Sequence, residues 1–73
     1  NALFVPDDDP LLFYRHIMIF SQSALSQKGR LYFEINPLYA ELIVEELNRH
    51  GFVGISRIED QYGKTRFVRA KKQ

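Results

Sequence analysis

The chain has 73 residues, of which 45% are hydrophobic and 14% aromatic, so it is long enough for one small domain. It contains no cysteine, which excludes disulfides and thiolate metal sites and fits a reducing compartment, and we expect a cytoplasmic protein. Its formal net charge is +1, no apolar stretch approaches the ~20 residues of a membrane span, and its start lacks the pattern of a signal peptide, so no membrane partner is expected.

Charge is unevenly distributed along the chain. After Asp60 there is no acidic residue, while half of the basic residues lie in this last segment. Such a tail can bind the phosphate backbone of a nucleic acid or form a solvated, frayed terminus, and the residues alone favour the frayed terminus. The basic residues concerned are Lys64, Arg66, Arg69, Lys71 and Lys72.

The first predicted element is a helix from about Pro10 to Leu25. Proline fits the first turn of a helix, because the N–H group that it lacks would have no partner there. Asp9 is then the expected N-cap, with Asp7 and Asp8 beside the positive end of the helix dipole. A metal site is the alternative for these three acids, but metal ligands usually converge from separate elements, so capping is favoured.

Apolar residues occupy much of this helix. One set recurs at helical spacing and a second set widens the apolar face, which predicts a largely covered helix. The first set is Leu12, Phe13, Ile17, Phe20 and Ala24, and the second is Leu11, Tyr14, Met18 and Leu25.

A strand from Leu31 to Asn36 and a helix from Leu38 to about His50 are predicted next. The strand begins with bulky apolar residues on both faces, which is typical of a strand covered on both sides. In the helix, Glu45 and Arg49 are spaced for an i,i+4 ion pair.

The end of the chain is predicted to form a hairpin. Gly51 suits the position after the second helix, and Phe52 is placed for the hydrophobic contact that often accompanies such an ending. The strands run over Val53–Glu59 and Thr65–Ala70, and Gly63 in the turn suits a positive φ. The predicted order is therefore helix, strand, helix, strand, strand.

No catalytic motif occurs, and no catalytic, cofactor-binding or metal-ligating residue is assigned. His16 and His50 lie on different helices without Cys or Asp at ligand spacing, and are interpreted as helix-surface or boundary residues. Glu34 and Asn36 end the first strand just before Pro37. In an open α/β sheet they would face a ligand crevice, close to the substrate; alternatively, the strand end bonds to its own loop.

Three segments together resemble a known family. The segments "ALFVPDDDPLLFYRHI", "GRLYFEIN" and "VEELNRHGFVGISRIEDQYGKTRFVRA" are similar, in order and spacing, to the C-terminal part of the protein-(glutamine-N5) methyltransferases of the HemK/PrmC type. In that family an "ALF…D…FYR" segment, a "G.L.FEI" strand, a helix ending in "GF" and a "D..G..R" hairpin follow one another. Family members often have glycine where this chain has Asn36.

The resemblance implies an α/β fold that is part of a Rossmann-like methyltransferase dependent on S-adenosylmethionine. Such enzymes methylate the glutamine of the GGQ motif in peptide chain release factors. Residues 1–73 would be a single partial domain with two helices and a three-stranded mixed sheet, its last strand inserted antiparallel beside its first. The family's glycine-rich cofactor loop and NPPY motif are absent, since "INPLY" (Ile35 to Tyr39) follows the wrong strand. We therefore expect the chain alone neither to bind the cofactor tightly nor to catalyse.

The implied partners are the remainder of the methyltransferase chain and, for the whole enzyme, a release factor. Without that remainder, a strand edge and helix faces stay uncovered, so we expect the isolated chain to form a homodimer. The alternative is a small α+β module that binds RNA or a protein through its basic C-terminal strand and tail, although no RNP-like aromatic run supports it.

Overall fold

The computed structural model describes residues 9–73, and its elements follow the predicted order. A short 3-10 helix (Pro37–Tyr39) leads directly into the second α-helix, which therefore begins later than predicted. The helices and strands are α1 (Leu12–Ala24), β1 (Arg30–Glu34), α2 (Ala40–Arg49), β2 (Phe52–Glu59) and β3 (Thr65–Lys72).

The start of α1 differs from the prediction. The N-cap position is Leu11, whose side chain makes no capping hydrogen bond. Asp9 as the N-cap is therefore wrong: its carboxylate accepts hydrogen bonds from both terminal nitrogens of Arg15, at 2.8 and 3.0 Å. A guanidinium is a stronger partner for a carboxylate than a neutral backbone N–H, which accounts for the difference. Asp7 and Asp8, the rest of that prediction, lie outside the described residues.

The predicted covering of α1 is incomplete, because two bulky apolar residues of the helix are exposed. Phe20 is 69% exposed and Ile19 is 57% exposed. The sheet and α2 lie against the opposite side, and the described chain has no further element to cover the remainder. In this region Leu11, Met18 and Ser21 are buried, and Tyr14 and Leu25 pack against the core.

The three strands form one sheet in the order β1-β3-β2, and both strand pairs are antiparallel. The predicted mixed sheet is therefore wrong for the described residues, because the last strand lies between two strands that run in the same direction. The expected position of the last strand, antiparallel beside the first, is observed. β1 ends at Glu34 rather than Asn36, since Asn36 is the N-cap of the 3-10 helix.

Both helices pack on the same face of the sheet, here called the helix-covered face. Met18, Ile43, Leu47 and Val68 have no exposed surface and form the centre of the core. Facing residues of an antiparallel pair point to the same side of the sheet. The opposite side, here called the open face, carries no helix in residues 9–73. Its side chains in β1 and β3 are Arg30, Tyr32, Glu34, Phe67, Arg69 and Lys71.

The open face also corrects the expectation that the first strand is covered on both sides. Tyr32 in the middle of β1 is 57% exposed. Its neighbours Leu31 and Phe33 are half-buried and pack against the core from the helix-covered face. Bulky residues on both faces of a strand therefore do not require two covering layers.

The basic end of the chain is not a frayed terminus, and that interpretation is wrong. β3 continues to Lys72, whose backbone N–H donates to the carbonyl of Gly29 at 2.7 Å. The Lys72 ammonium also donates to the carbonyl of Leu25 at 2.9 Å and to that of Gln22. The ammonium therefore provides a hydrogen-bond partner for carbonyls at the C-terminal end of α1 and interacts favourably with the negative end of the helix dipole.

Candidate functional site

The two residues predicted to lie close to the substrate flank the end of β1. Glu34 is the last residue of the strand, faces Phe67 on the open face and is exposed. The Asn36 side chain accepts a hydrogen bond from the Leu38 N–H at 3.0 Å and so begins the 3-10 helix. Its own backbone N–H donates to the Tyr14 hydroxyl at 3.4 Å. Asn36 thus makes the contact with its own loop that the sequence left as the alternative.

A groove lies beside Asn36, between the start of α2 and the hairpin turn. Its volume is about 740 Å³, and Glu34 is not among its lining residues. The structure therefore brings Asn36, but not Glu34, to this groove. Side chains of both charges line it: Glu41, Glu45, Arg57, Lys64 and Arg66. No local sequence pattern predicts this grouping, because it depends on the position of the hairpin beside α2.

The hairpin turn is organised by Asp60. Its carboxylate accepts hydrogen bonds from the backbone N–H groups of Tyr62 (2.8 Å) and Lys64 (3.1 Å) and from Arg66 Nε (2.8 Å). The Arg66 guanidinium is the main reason that the pKa of Asp60 falls from 3.8 to about 2, followed by the Lys64 N–H. Gly63 has the predicted positive φ, +79°. The "D..G..R" pattern therefore builds a turn.

The other glycine position predicted to be special is also confirmed. Gly51, directly after α2, has a φ of +85°, a conformation in which a side chain would be strained. Phe52 follows and is only 2% exposed, as part of the core. The "GF" pattern therefore ends the helix and anchors β2.

A cluster of charged side chains joins the two helices and was not among the predicted features. Glu46 on α2 is 7% exposed and approaches Arg15 Nε at 3.6 Å and Arg49 at 2.8 Å. The predicted pair between Glu45 and Arg49 is wrong, because Arg49 binds the buried carboxylate instead. An acid on the same helix side as Ile43 is a signal that could have identified the cluster, since buried charges need partners.

Neither histidine has a set of metal ligands around it in the described chain. His16 is exposed, as its interpretation as a surface residue requires. His50 is half-buried at the end of α2, with Nδ1 3.7 Å from Glu46 Oε1. Over residues 9–73 there is no group of three or more potential metal ligands, and no helix is long and apolar enough to cross a membrane.

The basic residues of β3, which the RNA- or protein-binding alternative would use, do not lie on one surface. Arg66 binds Asp60, and Lys72 binds the end of α1 from the helix-covered side. Arg69 and Lys71 are exposed on the open face. Alternation along β3 therefore divides this group between the two sides of the sheet.

The glycines of residues 9–73 do not form a cradle for a nucleotide-like cofactor. Gly29, Gly51, Gly54 and Gly63 are separated from one another, and each lies in or near a turn or bulge. At Gly29 a side chain would approach the Ser26 carbonyl oxygen to 2.8 Å, so its space is filled by the chain itself. A phosphate- or ribose-binding loop needs consecutive open backbone at the end of a strand. The glycines of the described residues therefore supply no such loop.

Comparison with known proteins gives the chain a relationship that its geometry alone does not. It is 39% identical over 71 residues to the release factor glutamine methyltransferase of Bacteroides thetaiotaomicron, covering 97% of this chain and 26% of that protein. It is 43% identical over 68 residues to the protein of the same name from Flavobacterium psychrophilum, covering 93% of this chain and 24% of that protein. The chain is related to the C-terminal part of release factor glutamine methyltransferases.

The relationship confirms the resemblance found in the sequence. The chain spans about a quarter of the length of the curated relatives that it matches. No protein-family model matches it. No solved structure matches it either.

Proposed function

We propose that this chain is the C-terminal part of a methyltransferase that transfers a methyl group from S-adenosylmethionine to the GGQ glutamine of a peptide chain release factor. Similarity over nearly the whole chain to two proteins named for that activity carries the proposal. In the complete enzyme the three strands extend a Rossmann-like sheet, and the enzyme acts in the cytoplasm.

In this proposal, residues 9–73 support the fold rather than the chemistry. The family-like patterns within the chain have structural tasks: Asp60 and Arg66 shape the hairpin, and Asp9 binds Arg15. The preceding part of the chain holds the cofactor and the glutamine amide. The fragment alone is then inactive and binds no S-adenosylmethionine.

Glu34 and Asn36 lie near the release factor in the proposed enzyme, at the end of a central strand. Asn36 is the stronger candidate, because it borders the groove beside α2. Its side-chain contact with the Leu38 N–H leaves the amide nitrogen available to a peptide carbonyl.

The partner of this chain is the remainder of the methyltransferase, which covers its apolar surface. Four large apolar side chains are substantially exposed: Ile19 and Phe20 on α1, Leu38 in the 3-10 helix and Leu42 on α2. One edge of β1 also has no strand beside it in the described residues. Produced alone, the fragment buries these features by forming a homodimer. A monomeric mass at micromolar concentration in light scattering would contradict that part of the proposal.

The decisive test is methyl transfer to a purified release factor, followed by mass spectrometry of the GGQ peptide. The complete natural protein should add one methyl group with S-adenosylmethionine present, and the 73-residue chain should add none. A release factor with Gln→Asn in the GGQ motif is the control for site selectivity. If the complete protein does not methylate the release factor, the proposed enzyme activity is wrong. If the fragment alone methylates it, the proposal that the preceding part of the chain carries out the chemistry is wrong.

A further inference from the structure

The open face of the sheet combines aromatic rings with cations. The rings of Tyr32 on β1 and Phe67 on β3 are stacked, with centroids 5.4 Å apart and planes 18° apart. Although Tyr32 is large and partly apolar, it is 57% exposed, so one side of this aromatic pair faces solvent. Such a pair offers a flat surface on which a planar group can stack.

Three cationic side chains lie at one end of this aromatic pair. Arg69 faces Tyr32 across the strands, and Arg30 faces Lys71 at the end of the same strand pair. Within residues 9–73 these three side chains form no ion pair, in contrast to Arg15, Arg49 and Arg66. The acid of this face in β1, Glu34, lies at the other end, opposite Phe67. The face is therefore positively charged at the Arg30 end.

A groove of about 350 Å³ runs between these cations, and its lining includes Arg30, Arg69, Lys71 and the hydroxyl-bearing Ser56. An irregularity in β2 between Val53 and Ser56 shapes one wall. Gly54 in that bulge has a φ of +59°, and a Cβ there would approach Lys71 Cε to 3.1 Å. The bulge and its glycine therefore leave room for the lysine side chain at the groove.

We propose that the open face binds single-stranded nucleic acid, with a phosphate between Arg30, Arg69 and Lys71 and a base stacked on Tyr32. Cations recognise the backbone through charge, and an exposed ring recognises any base through its π-face. Sheets that bind single-stranded RNA use the same combination of aromatic residues on an uncovered face. An acidic peptide would satisfy the cations but would leave the aromatic surface without a planar partner. This inference does not depend on the methyltransferase activity.

The test is fluorescence anisotropy of a labelled, mixed-sequence RNA of about twelve nucleotides with the complete natural protein. We expect a Kd below about 100 µM at about 50 mM salt and weaker binding as salt rises. Tyr32→Ala should weaken binding about tenfold, whereas Tyr32→Phe should bind normally. Arg69→Gln combined with Lys71→Gln should reduce the slope of log affinity against log salt by about 0.7 for each phosphate that the variant no longer neutralises.

Matched controls lie elsewhere on the molecule. Tyr62→Ala removes a tyrosine that is 77% exposed at the hairpin turn, and Arg57→Gln with Lys64→Gln removes two exposed cations away from the open face. These variants should bind as the unmodified protein does. Circular dichroism checks that each variant is folded, and the Arg69 and Lys71 variant gives the result if Tyr32→Ala does not fold.

Three outcomes would overturn the inference. One is absence of RNA binding by the complete protein, as expected if the preceding chain covers the open face. Another is binding that the open-face variants leave unchanged. The third is equal affinity for a glutamate-rich peptide of the same charge, which would identify the surface as one for acidic proteins.

Discussion

The two faces of the three-stranded sheet differ in how far their side chains are buried. On the helix-covered face Val68 and Ala70 are buried in the core, whereas Arg69 and Lys71, their neighbours in β3, are exposed. The buried and the exposed side chains belong to the same strand and share its backbone hydrogen bonds. The contrast shows that the helices, and not the sheet itself, decide where this small domain has a core. Substitutions on the two sides should therefore differ most in their effect on stability.

The largest difference is expected between two leucines of α2. Leu47 has no exposed surface, so Leu47→Ala should lower the free energy of unfolding by about 2–5 kcal/mol. Leu42→Ala is the matched control, because Leu42 is 48% exposed and should cost less than about 1 kcal/mol. Urea unfolding at fixed protein concentration measures both values. Equal losses would show that Leu42 is also covered, for example in a dimer.

The charged cluster between the helices should have the next largest effect. Glu46→Ala removes the buried carboxylate that contacts Arg15 and Arg49, while Arg15 keeps its contact with Asp9, and should cost about 1–3 kcal/mol. Glu45→Ala, at a neighbouring position outside the core, should change stability by less than about 0.5 kcal/mol. A double-mutant cycle with Arg15→Ala measures the coupling between the helices, and a coupling of zero would remove this cluster from the contacts that join them.

Two adjacent lysines compare the faces directly. Lys72→Ala removes two hydrogen bonds to the end of α1 and should cost about 1 kcal/mol. Lys71→Ala, on the open face, should change the free energy of unfolding by less than about 0.5 kcal/mol. Thermal unfolding of both variants, monitored by circular dichroism, is sufficient. The reverse order would mean that the chain end does not anchor α1.

The smallest effect is expected in acid, at the hairpin turn. Because the folded-state pKa of Asp60 is lowered from 3.8 to about 2, its contribution to stability is complete above pH 3.8 and is lost as pH falls towards 2. NMR signals of Gly63 and Lys64 should titrate in this range. Asp60→Asn should abolish the titration, and a midpoint near 3.8 in the unmodified protein would contradict the contact with Arg66.

Local patterns predicted most of the elements, and the reason is clear at particular residues. Gly51 and Gly63 adopt backbone conformations that other residues reach only with strain. The end of α2 and the hairpin turn can therefore be predicted from the local sequence, without knowledge of tertiary contacts. The order of elements followed from apolar spacing in the same way. Asp9 shows the limit: it has the chemistry of an N-cap, but Arg15 in α1 binds its carboxylate.

The candidate site was less predictable than the fold. Glu34 ends β1 and Asn36 caps the 3-10 helix that follows. Only Asn36 borders the groove, whose other wall comes from the hairpin. The pairing of Tyr32 with Phe67 joins residues that are far apart in the sequence. No local pattern indicates that these rings meet, since strand order and register bring them together.

The sequence by itself determined the helices, the strands, the turns and the relationship to release factor glutamine methyltransferases, because these depend on local spacing and on residue identity. Tertiary structure decided which apolar residues of α1 are buried, which cations of residues 9–73 form ion pairs and where the aromatic pair lies. The physical reason is that burial and ion pairing depend on neighbours distant in the chain, and the position of β3 between β1 and β2 determines those neighbours.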